Sequence, residues 1–417
     1  MSNILNTERT ILHCDMNNFY ASVECMLDPS LKDKVVAVAG SVENRHGIVL
    51  AKNQKAKAVG ISTGDAIWQA KQKCNQLVVV EPHYEQYIKF SKLAREIYGR
   101  YTNQVEPYGM DECFLDISGS LRCFGTGLQI AHKIRRTIKF ELGLTISVGV
   151  SFNKIFAKLG SDLKKPDAVT CITKEGFRER IWGLPASDLL GVGRATNRVL
   201  RRYGISTIGD LAKAPIELIK TKLGKNGLAL IAYANGADCS IVHHTDYEYP
   251  VKSIGHGITT VQDLENDVDV WMVMLELVQD IGTKLRKYKK KALGVSICIR
   301  NNGLICQEWQ CQLDSPTQSS TNIVKTAFKL FQECYSWEFP IRSVTIRAIN
   351  LIEEGREFQY NLFTDYESIR KRERLDLTIE SIRQRFGKES IKNAVLLFPG
   401  KMPANRADVV MPTGLFK

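Results

Sequence analysis

The chain has 417 residues, a formal net charge of +12 and 44% hydrophobic residues, which predicts roughly three domains with packed cores. The basic balance predicts an anionic partner, most commonly nucleic acid. The chain contains no apolar run of about 18 residues and no signal-peptide core, so we expect a cytoplasmic protein that does not enter a membrane. Its 11 cysteines are scattered without a Cys-x-x-Cys pair, which argues against disulfides and zinc.

Two predicted strands end in acidic residues. The first is Thr10–Asp15, and the second apolar run, Pro107–Ile117, contains Gly109, which favours a hairpin turn, followed by Asp111 and Glu112. If the strands are neighbours in one sheet, three carboxylates meet at its edge and repel one another unless hard cations such as Mg²⁺ bridge them. Two-metal phosphoryl transfer needs such a cluster. Taken singly, an acidic residue at a strand end is more often simply solvated.

Three sequence blocks then carry a family resemblance. They are DMNNFYASVE at 15–24, GMDECFLDIS at 109–118 and SVGVSFNK at 147–154. In order and spacing they resemble the blocks of the Y-family translesion DNA polymerases of the DinB and UmuC type. The resemblance runs from about Thr10 to about Ile352. It implies an α+β multidomain, right-hand polymerase fold with palm, small fingers, helical thumb and little finger, and low-fidelity DNA synthesis across damaged template positions.

Domain boundaries follow from this resemblance together with the glycine and proline positions. We expect the palm at 1–18 and 83–172, fingers at 19–82, a thumb with a helix-hairpin-helix motif at 173–240, a linker at 241–252, a little finger at 253–350 and a C-terminal tail at 351–417. Within the little finger, the pattern predicts a helix from Val268 to Tyr288 and strands at Leu293–Ile299 and Ser343–Ile349.

The resemblance assigns the catalytic and metal-binding residues. Asp15 and Asp111 correspond to the aspartates that bridge two Mg²⁺ ions, which Mn²⁺ can replace. Glu112 corresponds to the carboxylate nearest the ion that activates the primer 3′-hydroxyl, and the backbone carbonyl of Met16 completes the shell of the nucleotide's ion. No protein nucleophile is needed.

Nucleotide selection is expected next to these carboxylates. Tyr20 corresponds to the steric gate, the aromatic ring that fills the space a ribonucleotide's 2′-hydroxyl would need. The backbone N–H groups of Phe19 and Tyr20 are expected beside the phosphates. The alternative is that both rings are ordinary core aromatics of an amphipathic helix.

The residues expected to bind the triphosphate depart from the family's usual set. The family offers a Tyr and an Arg in the fingers, where this chain has Gln54 and Lys57. Lysine lacks the planar fork of arginine, so we expect looser orientation of the phosphates. Lys165 corresponds to the palm lysine that also contacts the triphosphate.

Two basic segments are candidates for DNA contact. The run Leu189–Arg194 resembles the hairpin of a helix-hairpin-helix motif, in which Gly191 and Gly193 let backbone N–H groups approach a phosphate beside Arg194. A dinucleotide-binding fingerprint is the alternative there, although no strand is predicted before it. The second segment is the set Lys289, Lys290 and Lys291, expected on the DNA backbone or, alternatively, at a solvated helix end.

The C-terminal region contains a candidate partner motif. Gln359, Leu362 and Phe363 resemble the peptide with which bacterial polymerases bind the sliding clamp, the β subunit. The following stretch Tyr366–Phe386 is predicted to be an exposed amphipathic helix, either a partner surface or a solvated one. The expected partners are thus primer-template DNA, deoxynucleoside triphosphates and the clamp, bound by a monomer.

Two other functional classes stay open at this point. A nucleotidyl cyclase also carries paired palm carboxylates, but it has no need of the hairpin segment, the steric gate or the clamp peptide. A non-catalytic scaffold bound to the clamp would keep the fold and lose a carboxylate, whereas all three are present.

Overall fold

The computed structural model describes residues 9–43, 45, 47–359, 365–397 and 401–402. The chain forms two compact units. Of the described residues, the first unit contains those before Ser41 together with Ile48–Tyr249, and the second contains those within Ser41–Gly47 and those from Pro250 onward. None of the helices in the described part of the chain combines the length and apolar character of a membrane span.

A mixed five-stranded sheet is the centre of the first unit. Its strands are β1 (Ile11–Met16), β5 (Val105–Pro107), β6 (Glu112–Asp116), β7 (Ile146–Ser151) and β8 (Val169–Ile172), in the order β5-β6-β1-β7-β8. Strand β1 is antiparallel to both of its neighbours, and every one of its residues is buried.

Helices cover both faces of this sheet. On one face, apolar residues of α4 (Tyr84–Gly99) and α6 (Gly127–Leu142) form a core with Leu12, Cys14 and Met16. The other face packs against α7 (Lys154–Leu163). Because side chains alternate along a strand, Asp15 and His13 lie on the α7 face. The short helix α5 (Leu121–Phe124) precedes α6.

Two smaller parts complete the first unit. A three-stranded sheet of order β3-β2-β4 has its own small core; its elements are β2 (Val36–Ala39), β3 (Val49–Lys52), β4 (Val78–Val80), α2 (Gln54–Ala58) and α3 (Ile67–Lys73). Helix α1 (Phe19–Leu27) precedes this part and packs in the main core through Phe19 and Val23. A helical part packs around a separate apolar core; its helices are α8 (Phe177–Ile181), α9 (Arg194–Arg202), α10 (Ile208–Lys213) and α11 (Ile216–Ala234).

The second unit is an antiparallel sheet with helices on one face. The strands are β9 (Ile254–Leu264), β10 (Lys290–Asn301), β11 (Cys306–Thr317) and β12 (Ile341–Glu353), in the order β11-β10-β12-β9. Helices α12 (Asp267–Lys287) and α13 (Ser320–Cys334) share their apolar core with these strands. The helix and the two strands predicted for this region are therefore confirmed, with small differences at their ends.

The helix predicted at the C-terminus is confirmed as α14 (Tyr366–Phe386), but its surroundings differ from the expectation. Many of its residues are exposed, as expected, but a row of acidic residues packs on the second unit. The buried Asp376 accepts a hydrogen bond from the Ser320 N–H (3.0 Å), and Glu380 pairs with Arg286. The described residues after 350 therefore contact the second unit, where these acids pair with cations.

The linker expected at 241–252 makes specific contacts with the first unit. Up to Tyr249 it lies on the first unit, where the buried Glu106 of β5 accepts hydrogen bonds from the Tyr249 hydroxyl (2.6 Å) and the His243 N–H (3.0 Å). Lys154 pairs with the same carboxylate at 2.7 Å, and Val242 is buried. The boundary between the two units consequently falls after Tyr249.

Candidate active site

Strand pairing brings the three predicted carboxylates to one end of the central sheet. Asp15 on β1 stands directly opposite Glu112 on β6, and the Met16 N–H donates to the Asp111 carbonyl (3.0 Å). The predicted hairpin at Gly109 is confirmed, since the N–H groups of Tyr108 and Gly109 both donate to the Glu112 carbonyl. Directly opposed residues of antiparallel strands place their side chains on the same face, so Asp15 and Glu112 both face α7.

Two lysines neutralise two of the three carboxylates. The Lys165 ammonium group lies 2.7 Å from Asp15 Oδ2, and the Lys158 ammonium group lies 2.8 Å from Glu112 Oε2. Among the described residues, no group of three metal-binding side chains is already converged. The sequence predicted that the three carboxylates converge. In the structure their backbones lie close together, but the side chains of Asp15 and Glu112 pair with lysines.

The acidities of the carboxylates reflect this unequal pairing. Burial raises the pKa of Asp15 to about 6 against the opposing effect of Lys165, and it raises that of Asp111 to about 7, helped by the charges of Asp15 and Glu112. For Glu112, burial acts in the same direction, but His13 and Lys158 outweigh it and lower the pKa to about 2. The site therefore holds carboxylate charge that its lysines only partly balance, and its oxygen donors fit a hard divalent cation.

A cleft of about 180 Å³ connects Asp15 with the predicted phosphate-binding residues Lys57 and Lys165. Its lining residues are Asp15, Asn17, Asn18, Lys52, Gln54, Lys57 and Lys165. Lys52, at the end of β3, was not predicted. Burial and the nearby charge of Lys57 lower its pKa, and its ammonium group contacts the Thr63 hydroxyl at 3.1 Å. The cleft thus places three lysines beside one acidic residue, an arrangement that suits a polyanion.

The two predicted aromatics occupy different environments. Phe19 is buried in the main core, so its ring is the core aromatic that the alternative interpretation described. Tyr20 is half-buried, and its hydroxyl lies 3.6 Å from the sulfur of Met110. Burial raises the pKa of Tyr20 to about 12, with a further contribution from the charge of Asp111. Tyr20 consequently stands between the core and the carboxylates.

The first candidate DNA-binding segment has the geometry of a turn before a helix. Gly191 has a φ of +92°, a value that favours glycine, and Gly193 precedes Arg194, the first residue of α9. The helix carries four arginines: Arg194, Arg198, Arg201 and Arg202. A turn of 3₁₀ helix at Ala186–Asp188 comes before the glycines, where a dinucleotide fingerprint would need a strand.

The second candidate segment is less open than expected. Lys289 adopts a left-handed turn conformation with φ of 51°, and Lys290 pairs with Glu353. Lys291 is 17% exposed and lies 3.4 Å from Glu373 of α14. Intramolecular acids thus balance Lys290 and Lys291, which does not favour the expected contact with the DNA backbone. In the candidate clamp motif, Gln359 is exposed, whereas Leu362 and Phe363 lie outside the described residues.

Sequence reasoning also missed His13 and Lys158, which surround Glu112. The alternation of side chains along β1 places His13 on the same face as Asp15, a signal that the pattern contains. Lys158 has no such signal, because a lysine in the middle of a helix is usually solvated.

Comparisons with known proteins add to this geometry. The profile of the impB/mucB/samB family matches residues 14–162, and the profile of that family's C-terminal domain matches residues 251–362. The chain is 47% identical to DNA polymerase IV of Acetivibrio thermocellus, over 94% of this chain and 98% of that protein. It is 35% identical to DNA polymerase IV 2 of Bacillus subtilis, over 96% and 97%. Among solved structures, a Y-family DNA polymerase chimera of Dbh and Dpo4 is similar, with a TM-score of 0.74 and 21% identity over 82% of this chain and 99% of that one.

Proposed function

Because the chain belongs to the impB/mucB/samB family and is a Y-family, DNA-directed DNA polymerase of translesion synthesis, we propose that Asp15, Asp111 and Glu112 are its catalytic carboxylates. The observation that carries this proposal is the shared cleft, which joins Asp15 to Lys52, Lys57 and Lys165. The cleft thereby places a carboxylate that can bind metal ions next to lysines that can bind phosphates. The family decides against a nucleotidyl cyclase, and three intact carboxylates argue against an inactive scaffold.

The proposed metal site uses the oxygens of Asp15, Asp111 and Glu112 and the backbone carbonyl of Met16. Two Mg²⁺ ions, or Mn²⁺ in their place, would activate the primer 3′-hydroxyl and neutralise the leaving pyrophosphate. The raised pKa of Asp111 supports this proposal, because a buried carboxylate crowded by Asp15 and Glu112 gains most from added positive charge.

Lys57, Lys165 and Lys52 are the proposed ligands of the incoming triphosphate. Lys165 now contacts Asp15, so it would exchange that carboxylate for a phosphate oxygen when the nucleotide and its ion arrive. The backbone N–H groups of Phe19 and Tyr20 are proposed beside the phosphates, and the Tyr20 ring is proposed to exclude the ribose 2′-hydroxyl. Its half-buried place next to Asp111 supports that role.

DNA and the clamp are proposed to bind elsewhere on the chain. The turn at Gly191 and Gly193, with Arg194, offers backbone N–H groups and a cation to a primer-template phosphate. Gln359, Leu362 and Phe363 are proposed to bind the sliding clamp. We further propose that the polymerase acts as a monomer in the cytoplasm, where bacteria such as those of its relatives keep their chromosome.

Primer extension with the Asp111→Ala variant tests the proposed site. On undamaged and lesion-bearing templates with Mg²⁺, with and without the clamp, we expect extension to fall by at least about a hundredfold, since metal ions supply several kcal/mol of barrier reduction. Primer-template affinity should stay within about threefold, because backbone contacts supply it. The control Glu141→Gln changes an exposed ion pair with Arg100 and should extend normally. Asp111→Ala activity within about tenfold of wild type would remove Asp111 from the mechanism.

A further inference from the structure

Lys158 is a largely enclosed cation beside a proposed catalytic carboxylate. It lies in the middle of α7, on the helix that covers Asp15 and Glu112. Its ammonium group is 2.8 Å from Glu112 Oε2 and 3.7 Å from Asp162 Oδ2, and its side chain is only 15% exposed. A lysine so placed gives up most of its hydration, so its carboxylate partner holds it firmly.

His13 contacts the same carboxylate oxygen of Glu112. The ring is fully buried, with Nδ1 2.8 Å from the Ser161 hydroxyl and Nε2 3.3 Å from Glu112 Oε2. The Ser161 hydroxyl contacts both His13 Nδ1 and, at 2.7 Å, the Lys158 carbonyl. The Ser161 contact fixes the imidazole, and Glu112 Oε2 lies between this ring and the Lys158 ammonium group.

Lys165 provides a contrast within the same acidic site. It pairs with Asp15 at 2.7 Å and with Asp162 at 2.8 Å, and it lines the open cleft. Lys158 is not among the residues that line that cleft. One lysine can therefore reach an incoming phosphate, whereas the other is enclosed between α7 and the sheet.

We propose that Lys158 is a positioning residue of the polymerase reaction. It holds Oε2 of Glu112 against His13 through the catalytic cycle and thereby presents Oε1 to the catalytic site. The inference rests on the proposed function, in which Glu112 acts on the primer side of the reaction. Lys158 stays paired with Glu112 throughout the cycle, whereas Lys165 leaves Asp15 when it binds the incoming phosphate.

The physical reason is orientational. A carboxylate on a two-carbon stem can rotate among several rotamers, and catalytic groups must stay within about 0.5 Å of their productive position. An ammonium group bound to one oxygen restricts that rotation without occupying the other oxygen. A purely structural ion pair between Lys158 and Glu112 is the competing explanation, and it predicts a different response to substitution.

The test removes the charge and then restores it. Lys158→Met should lower kcat for single-nucleotide insertion by at least about thirtyfold and change the nucleotide KM by less than about threefold, because Lys52, Lys57 and Lys165 remain. Lys158→Arg, which keeps a cation, should recover kcat to within about fivefold of wild type. The control Lys92→Met, at an exposed lysine of α4, should leave both parameters unchanged.

A second readout separates positioning from general damage to the site. Mn²⁺ affinity of the protein–primer-template complex, measured by electron paramagnetic resonance, should stay the same or become tighter in Lys158→Met, because a positive charge has been removed near the carboxylates. Loss of folding would instead weaken Mn²⁺ binding and turnover together. If Lys158→Met does not fold, Lys158→Gln, which keeps a hydrogen-bond donor without a charge, is judged by the same two readouts.

The outcomes are distinguishable from those of the proposed function. A kcat within about threefold of wild type in Lys158→Met, or Mn²⁺ affinity that falls in parallel with kcat, would overturn the positioning role. Inactive Asp111→Ala together with normal Lys158→Met would leave the proposed function standing and remove this inference alone. Active Asp111→Ala would instead refute the proposed site itself.

Discussion

The ring of Tyr20 lies parallel to that of Tyr87, with centroids 4.2 Å apart and an interplanar angle of 8°. Tyr87 donates its hydroxyl proton to the buried Glu24, whose other oxygen lies 2.9 Å from His83 Nδ1. A buried hydrogen bond thus fixes the ring on which Tyr20 stacks. The fixed Tyr87 ring therefore supports the ring of the candidate steric gate, which cannot move easily away from a 2′-hydroxyl.

The first prediction concerns sugar selection. Tyr20→Ala should raise the use of ribonucleotides relative to deoxynucleotides by at least about tenfold, because the proposed exclusion is steric. Single-nucleotide kinetics with matched ribo- and deoxynucleotides measures the ratio. Tyr203→Ala, at an exposed tyrosine of the helical part, is the control. An unchanged ratio in Tyr20→Ala would return Tyr20 to the role of a core aromatic.

The second prediction concerns the three lysines of the cleft. Lys57→Arg should lower the KM for the incoming nucleotide, because a planar guanidinium can bind two phosphate oxygens. Lys57→Ala and Lys52→Met should each raise it by about three- to tenfold, a loss of about 1 kcal/mol. Steady-state kinetics checks all three variants. Lys55→Met is the control, since Lys55 pairs with Asp33 outside the lining of the cleft. A KM that responds to none of these changes would leave Lys165 as the phosphate ligand.

The third prediction uses the buried Glu106. Burial alone would raise its pKa, but hydrogen bonds from Lys154, Tyr249 and the His243 N–H outweigh burial and lower the pKa to about 2. A carboxylate whose pKa is depressed on folding stabilises the protein above its ordinary pKa of about 4.5, and this stabilisation disappears as the pH falls toward 2. The contribution near neutral pH is on the order of 3 kcal/mol.

Urea unfolding of wild type and Glu106→Gln at pH values from 7 to about 3.5 measures this contribution. The difference in free energy of unfolding should be largest above about pH 5 and should shrink below it. Glu141→Gln, at an exposed ion pair, should differ little from wild type throughout. A difference for Glu106→Gln that is constant with pH would mean that Glu106 ionises alike in the folded and unfolded states.

The fourth prediction concerns the clamp. Replacing Gln359, Leu362 and Phe363 together with Ala should abolish clamp-stimulated synthesis and leave basal extension unchanged, because tethering acts only through effective concentration at the primer end. Product lengths with and without the clamp, and a direct binding assay, provide the measurements. A triple variant that binds the clamp with wild-type affinity would show that the motif is a chance match.

The backbone of the site could be predicted from sequence because its signals are local. Apolar runs and the turn at Gly109 indicated two strands with acidic residues at their ends, and the structure confirms that the strands pair. The position of Lys158 was not predictable in this way, because it depends on how closely α7 packs on the sheet. A Cβ atom at Gly149 would come within 1.8 Å of the Ala157 carbonyl oxygen, so glycine at this position permits the approach that brings Lys158 to Glu112.

Long-range charge pairing is the part of the lysine run's environment that the sequence did not indicate. The run Lys289–Lys291 has the local pattern of a nucleic-acid contact, yet the acids that pair with Lys290 and Lys291 follow 63 and 82 residues later. No local pattern indicates such partners. The same holds for the linker at 241–252, because the sequence did not indicate that Glu106 would bind its residues His243 and Tyr249.

The packing of α14 affects how deletion experiments on the C-terminus should be interpreted. A chain shortened after the clamp motif would lose Asp376, the carboxylate that accepts from the first N–H of α13, and Glu373 and Glu380, which balance Lys291 and Arg286. Such a deletion would destabilise the second unit and would also change the residues that follow the motif. Loss of clamp response in a truncated polymerase could therefore come from the missing α14 contacts or from the motif. Substitutions confined to Gln359–Phe363 leave the sequence of α14 intact and test the motif alone.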